Sequence, residues 1–279
     1  MKQRMTKGLV VLLVVCVMFL SSCNNLPGIG GGGTSYKDPN KVKLNEFRKG
    51  SEGVKIEFFK KLPPDKMYEG DQLKAVIVLQ NMGATDISYG KVVLVNTDAS
   101  IGVTPTVQEY KLKGKNLYLK EGEKTTKEFT VKVGSKGDGR TTFIGYACYP
   151  YQTKALNSLC VDPTAGKAVI ASKACEMKDI TFSGGQGAPV TVKEVEVTPL
   201  FRDNKFRLRL NVTIENSGKG KIVSSGIASA ECSLKYADDS KIGDYLDIDV
   251  EVSDGRATCK KYFDNMNKLG KNRGYVICT

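Results

Sequence analysis

Sulfur is where this sequence concentrates its chemistry. Eight cysteines stand among 279 residues, and histidine is absent. Without imidazole there is no Ser-His-Asp triad, no Cys-His dyad and no zinc site built on a histidine ligand. No two cysteines are spaced C-x-x-C, so zinc-ribbon and thioredoxin-type readings have no spacing to rest on. The thiols are left with cross-linking and attachment. Cys16 falls inside an apolar run, Cys23 follows Leu20-Ser21-Ser22, and the other six are Cys148, Cys160, Cys175, Cys232, Cys259 and Cys278.

The surroundings of Cys23 set its role. Lys2, Arg4 and Lys7 stand in the first seven residues with no acidic partner, and residues 9–20 are an uncharged apolar run. This is the basic and then apolar order of an export signal. Its twelve residues, at about 1.5 Å each, reach roughly 18 Å as a helix, short of the bilayer core of about 30 Å. Leu20-Ser21-Ser22-Cys23 resembles a lipobox, the site at which lipoprotein signals are cut. The resemblance implies a signal peptide over residues 1–22, a mature chain that begins at Cys23, and lipid on its sulfur. An ordinary secretory signal with a chance cysteine is the alternative. Two or more acyl chains hold a protein stably, because each buried CH₂ contributes about 0.8 kcal/mol and one chain gives marginal residence.

Downstream, Gly28, Gly30 and Gly33 formally match G-x-G-x-x-G. A dinucleotide site needs a strand before that motif and a helix after it, whereas Thr34-Ser35-Tyr36-Lys37-Asp38-Pro39 follows here. Residues 23–53 therefore read as a Gly-rich flexible tether, with an r.m.s. reach of roughly 30 Å. Residues 1–22 carry three basic and no acidic side chains, so their removal lowers the formal charge from +12 to +9. Of 42 basic residues 8 are arginine, and the lysines are scattered along the chain. A solvated lysine-rich surface is the plain reading, attraction to anionic lipid or acidic glycan the sharper one. No nucleic-acid partner is expected.

Six thiols in an exported chain point to three disulfides, with fifteen connectivities open. A hairpin centred near Lys154 in 146–161 predicts Cys148 with Cys160. Cys232 with Cys259 and Cys175 with Cys278 are the further expectations.

The apolar pattern has period two. In 206–215, Leu208, Leu210, Val212 and Ile214 share one face, and Asn216-Ser217-Gly218 follows. In 71–80, Leu73, Ala75, Ile77 and Leu79 repeat the arrangement, ahead of Asn81-Met82-Gly83. These are half-buried strands ending in turns where Asn and Gly tolerate positive φ. A further β-rich run follows each copy, at 91–95 and 221–223. The offset of 135 residues between Asn81 and Asn216 points to two related domains rather than a short-period solenoid. Other strands are expected at 54–59, 126–133, 141–149, 190–197, 245–252, 257–262 and 275–278. Turn signals separate them at 62–65, 134–139 and 183–187, an organisation typical of antiparallel sandwiches. Residues 262–269 could make two helical turns at most.

A hydrophobic-alternating strand closed by Asn-x-Gly resembles the Ig-like modules of archaeal and bacterial surface proteins, particularly the CARDB type, over 70–95 and 204–223. That resemblance implies spacer or adhesive modules with no catalytic residues. The expected fold is all-β: two tandem antiparallel Ig-like β-sandwiches at 54–165 and 175–279, after the signal peptide and tether.

Other motifs come close to chemistry. Gly184-Gly185-Gln186 copies the water-positioning tripeptide of translation release factors, and Ser88-Tyr89-Gly90-Lys91 fits the S-x-x-K of penicillin-binding enzymes. An exported chain does not meet the ribosome, and the partner motifs S-D-N and K-T-G are absent, so loop and strand are the expected roles. Asp238, Asp239, Asp244, Asp247, Asp249 and Asp254 gather acidity, but in 247–252 carboxylates alternate with Ile and Val as on an outer strand face. No metal and no cofactor are expected. Asn211-Val212-Thr213 is a glycosylation sequon. Tyr146, Tyr149 and Tyr151 are expected to alternate along one strand beside Cys148, as an exposed aromatic contact strip or as core.

Together these features predict a lipid-anchored envelope protein outside the cytoplasmic membrane. Its role would be non-catalytic binding, adhesion or spacing, with an envelope protein or acidic glycan as partner. A structural accessory subunit of an envelope complex is the alternative. A glycan-active enzyme ranks third, since it needs two carboxylates in one pocket.

Overall fold

The computed structural model describes residues 47–135, 139–162, 175–202, 205–223, 232, 246, 248–252, 255–257, 259–262 and 273–279. All of them lie within one compact unit, residues 40–279. The described elements are fourteen strands, and every named pair is antiparallel.

Alternating sequences build the first core. β1 (Val54–Phe58), β2 (Gln72–Asn81), β6 (Lys124–Val133) and β4 (Ile101–Thr104) form one sheet in the order β1-β2-β6-β4. β5 (Val107–Leu112), β3 (Ile87–Asn96) and β7 (Phe143–Cys148) form a second, in the order β5-β3-β7. Ala75, Ile77 and Leu79 of β2 and Phe129 and Val131 of β6 meet Val92 and Leu94 of β3 and Leu112 of β5 in one buried cluster. Burial of each such side chain contributes about 1.5–3 kcal/mol, which is what holds two sheets face to face. Ile77 pairs with Lys127 and Leu79 with Thr125. A one-residue slip would turn Ala75, Ile77 and Leu79 away from this core and bring Val76 and Val78 in their place.

A second core forms on β10 (Lys205–Asn216), where Leu210, Val212 and Ile214 are buried with Cys278. β10 lies between β9 (Val190–Arg202) and β14 (Arg273–Cys278) in a five-stranded sheet whose outer members are β8 (Ile180–Thr181) and β13 (Cys259–Tyr262). β11 (Val250–Val252) and β12 (Gly255–Ala257) pair as a short separate ladder.

The chain departs from expectation in four places, one of them the two-residue strand β8. β4 and β5 have no counterpart among the expected strands; Thr104-Pro105-Thr106 passes the chain from one sheet to the other, and Pro, having no N–H, cannot sit inside a ladder. Residues 221–223 are not a strand. They follow a turn that Asn216 closes by donating from its side-chain amide to the Gly220 carbonyl at 2.9 Å. Of the run expected at 245–252, the described residues 246, 248 and 249 are not strand and 250–252 form β11. Residues 263–269 of the expected helical turns lie outside the described residues.

Asn-x-Gly falls at the ends of β2 and β10 as expected, but for another reason. Neither Gly83 nor Gly218 is among the positive-φ glycines. Both are small because something passes close. A Cβ on Gly83 would stand 2.8 Å from the Gly187 carbonyl oxygen, and one on Gly218 would stand 2.7 Å from the Pro189 Cβ. The asparagines share one job. Asn81 donates to the Thr85 carbonyl at 2.9 Å, four residues on, as Asn216 does to Gly220.

Tyr110 of β5 is buried with its ring over Gly90, where a Cβ would stand 2.5 Å from the ring carbon Cζ. Its hydroxyl has no hydrogen-bond partner among the described residues, and burial pushes its pKa far up. A buried hydroxyl without a partner costs about 1–3 kcal/mol. Tyr110→Phe is therefore expected to raise stability by about 1 kcal/mol in urea denaturation. Burial also raises the phenols of Tyr149 and Tyr151. A phenol whose folded pKa exceeds its unfolded value of about 10 contributes nothing that varies below that pH, and stability is lost as pH rises beyond it. Stability should hold level from neutral pH to about pH 10 and fall above. Tyr110→Phe should shallow that fall; an unchanged alkaline limb would exclude Tyr110 as a source.

Candidate functional site

The Ser183–Gly187 loop joins the two cores. The Gly50 N–H donates to the Gly184 carbonyl at 2.6 Å, and the Gly187 N–H donates to the Gly50 carbonyl at 2.9 Å. The Ala84 N–H and the Tyr151 hydroxyl both donate to the Gly187 carbonyl, at 2.8 and 2.7 Å. Gly184, Gly185 and Gly187 have φ of 80°, 71° and 65°, which favours glycine at each.

Gln186 is 6 % exposed. Its amide donates to the Val192 carbonyl at 3.0 Å and accepts from the Val192 N–H at 2.9 Å. The Gly-Gly-Gln tripeptide thus closes on its own neighbouring strand, and both polar ends of Gln186 are occupied by backbone.

Two of the tyrosines work at the same joint. Tyr146 lies apart from it, half-buried in β7 opposite Val93, and burial raises its pKa. Tyr149 and Tyr151 lie beyond the end of β7, half-buried against the first core. The Tyr149 hydroxyl accepts from the Val54 N–H at 3.0 Å, and the Tyr151 hydroxyl accepts from the Thr85 N–H at 3.2 Å. Their rings meet edge to face at 5.9 Å. These contacts fix the entry of β1 and the end of β2 to the segment leaving β7. Thr153 Oγ1 continues the path by donating to the Val190 carbonyl at 2.5 Å.

All six downstream cysteines are paired, but otherwise than expected. The bonds are Cys148–Cys232, Cys160–Cys175 and Cys259–Cys278. The expected Cys148–Cys160 hairpin does not form. Pro150 offers no N–H to a ladder, and residues 150–162 run without strand pairing toward β9. Cys148 instead reaches Cys232, which is wholly buried, with Cα atoms 5.5 Å apart. The expected Cys232–Cys259 and Cys175–Cys278 pairs also give way, because Cys259 and Cys278 are register partners on β13 and β14. Those neighbouring strands were visible in the sequence, and facing cysteines on adjacent strands were the signal for that pair. Nothing local marked Cys232, 84 residues from its partner.

Other predicted features fall as follows. Ser88 and Lys91 lie in β3, so S-x-x-K is strand. Among the described residues no group of His, Cys, Asp and Glu could hold a metal ion. Asp249 is exposed, and Asp238, Asp239, Asp244, Asp247 and Asp254 lie outside the described residues. Asn211 of the sequon is in β10 and donates to Glu196 Oε2 at 2.8 Å. Cys23 lies outside the described residues. No described helix is long and apolar enough to cross a membrane. No protein-family model matches the chain, and no curated protein matches it.

Proposed function

We propose that this chain is a lipid-anchored cell-envelope protein, held at a membrane through Cys23, whose β-body serves non-catalytic binding, adhesion or spacing outside the cytoplasmic membrane. The observation that carries the reading is the fastened joint. Backbone bonds between Gly50, Gly184 and Gly187, together with the Cys148–Cys232 bond, tie the first core to the segments of the second. A tethered body fixed in this way keeps its reach and orientation, which a spacer or presenting module needs and free hinges would forfeit. Three disulfides suit an oxidising compartment, in keeping with the signal-like residues 1–22. The paired strand ends at Asn81 and Asn216 support placing the chain with CARDB-type surface modules.

Cys23→Ala tests the anchor. The wild-type chain should sediment with membranes and partition into detergent phase, whereas Cys23→Ala should leave both fractions. A variant that still partitions like wild type would overturn the reading.

A further inference from the structure

The loop between β5 and β6 exposes large apolar groups that it also holds still. In Lys113-Gly114-Lys115-Asn116-Leu117-Tyr118-Leu119-Lys120, Leu117 is 46 % exposed and Tyr118 97 %. Asn116 Oδ1 accepts from the N–H groups of both Tyr118 and Leu119 at 2.9 Å, and the Asn116 N–H donates to the Leu119 carbonyl at 3.1 Å. The base is fastened too. Gly114 N–H donates to Asp86 Oδ1 at 2.7 Å, and Lys113 N–H to Glu123 Oε2 at 2.6 Å. The backbone of the tip is thus fixed before any partner arrives, so docking it costs little further backbone entropy.

Charge and position select the partner. Residues 111–124 hold five lysines against two glutamates, and one of those carboxylates, Glu123, already receives the Lys113 N–H. An exposed Leu-Tyr pair flanked along the chain by lysines matches an anionic bilayer surface: Tyr is favoured at the interface, lysine stems lie along apolar surface, and their heads meet anionic headgroups. The loop also stands where the chain enters the fold from its N-terminal side. Met82 N–H donates to the Gly53 carbonyl at 2.8 Å, and Lys115 N–H donates to the neighbouring Gly83 carbonyl at 2.7 Å.

We infer that the Leu117–Tyr118 tip is a membrane-contact element that seats on an anionic lipid surface and lays the body against the bilayer. In placing that bilayer at the tether, the inference rests on the lipid-anchor reading of Cys23. The exposed Phe59 is a different case, since its N–H donates to the Val76 carbonyl in the middle of β2. It marks a part of the same sandwich away from the tether entry.

The chain has no tryptophan, so Tyr118→Trp creates a single reporter at a nearly fully exposed position. The full lipidated chain would be reconstituted in vesicles of phosphatidylcholine with phosphatidylglycerol, and flotation would be read alongside emission. The tip contact predicts blue-shifted emission quenched by brominated lipid, with Phe59→Trp remaining water-like and unquenched. In vesicle binding by the unlipidated chain, replacing Lys113, Lys115 and Lys120 with Gln should lower affinity about fivefold per lysine. A Tyr118→Trp chain that floats while its emission stays water-like overturns the tip contact and leaves the anchor standing. A chain that does not float overturns the anchor; vesicles added to it then test the tip alone, a blue shift supporting it and no change overturning it. A blue shift produced by delipidated envelope extract and not by vesicles would assign the tip to a protein partner and overturn the lipid assignment.

Discussion

Replacing both Cys148 and Cys232 with serine should lower stability by about 4.5 kcal/mol, the largest loss expected from opening any one of the three disulfides. The chain-entropy argument scales with the loop closed, and this bond spans 84 residues, against 15 for Cys160–Cys175 and 19 for Cys259–Cys278. The shorter loops correspond to about 3 kcal/mol each. Cys232 is also wholly buried, with its sulfur 3.7 Å from the Lys91 carbonyl, so the serine hydroxyl enters a packed site. The double variant avoids a stray thiol. Denaturant midpoints under non-reducing conditions give the ranking, and hydrogen exchange gives the location. Amide protection at Gly50, Ala84 and Gly187 should fall most, because those bonds cross the joint. Wild-type midpoint and protection in the double variant would mean that the bond does not fasten the joint.

Asn81→Ala should cost about 3 kcal/mol, and Asn216→Ala about 1 kcal/mol. Asn81 is 0 % exposed, donates to the Thr85 and Leu112 carbonyls at 2.9 and 3.4 Å, and accepts from the Gly83 N–H at 3.1 Å. Alanine leaves those buried backbone groups without their partner and opens a void beside them, and each unsatisfied group carries its desolvation penalty. Asn216 lies at the edge of burial and donates to the Gly220 carbonyl. Asn81→Asp separates the two causes. It keeps the volume and the acceptor but presents a carboxylate oxygen to two carbonyls, so its loss should equal or exceed alanine's if hydrogen bonding dominates, and fall below it if the void dominates. Urea unfolding of the three variants checks the order, and equal losses at Asn81 and Asn216 would contradict it.

The sequence made the ladders legible wherever burial is one-sided. In β10 the alternation of Leu208 through Ile214 specifies face and register at once, because a strand has period two, whereas in β2 the unbroken apolar run 75–79 is buried on both faces and marks only a strand. The all-β class followed from those strands and their turn signals. β4 and β5 were hidden because each is short and Pro105 stands between them, so neither run is long enough to show its period. Asn-x-Gly marked the right positions and the asparagines do close turns there, but positive φ at the glycines was the wrong cause. The glycines are needed for close approach of Gly187 and Pro189, residues distant in sequence. Gly184-Gly185-Gln186 was legible as a loop, while its role as the meeting point of Gly50, Ala84 and Tyr151 depends on long-range contacts that no local pattern encodes. The same limit governs Cys148 and Cys232, since pairing across 84 residues is settled by where β7 ends and not by spacing.

Lipid on Cys23 and three disulfide staples together define the proposed envelope protein. Intact mass of the protein extracted from its native membrane, taken before and after reduction, tests both together. A chain beginning at Cys23 with added lipid mass should gain about six hydrogens on reduction, two for each of the three disulfides. A mass that includes Met1, carries no lipid and does not change on reduction would contradict export, anchor and staple alike.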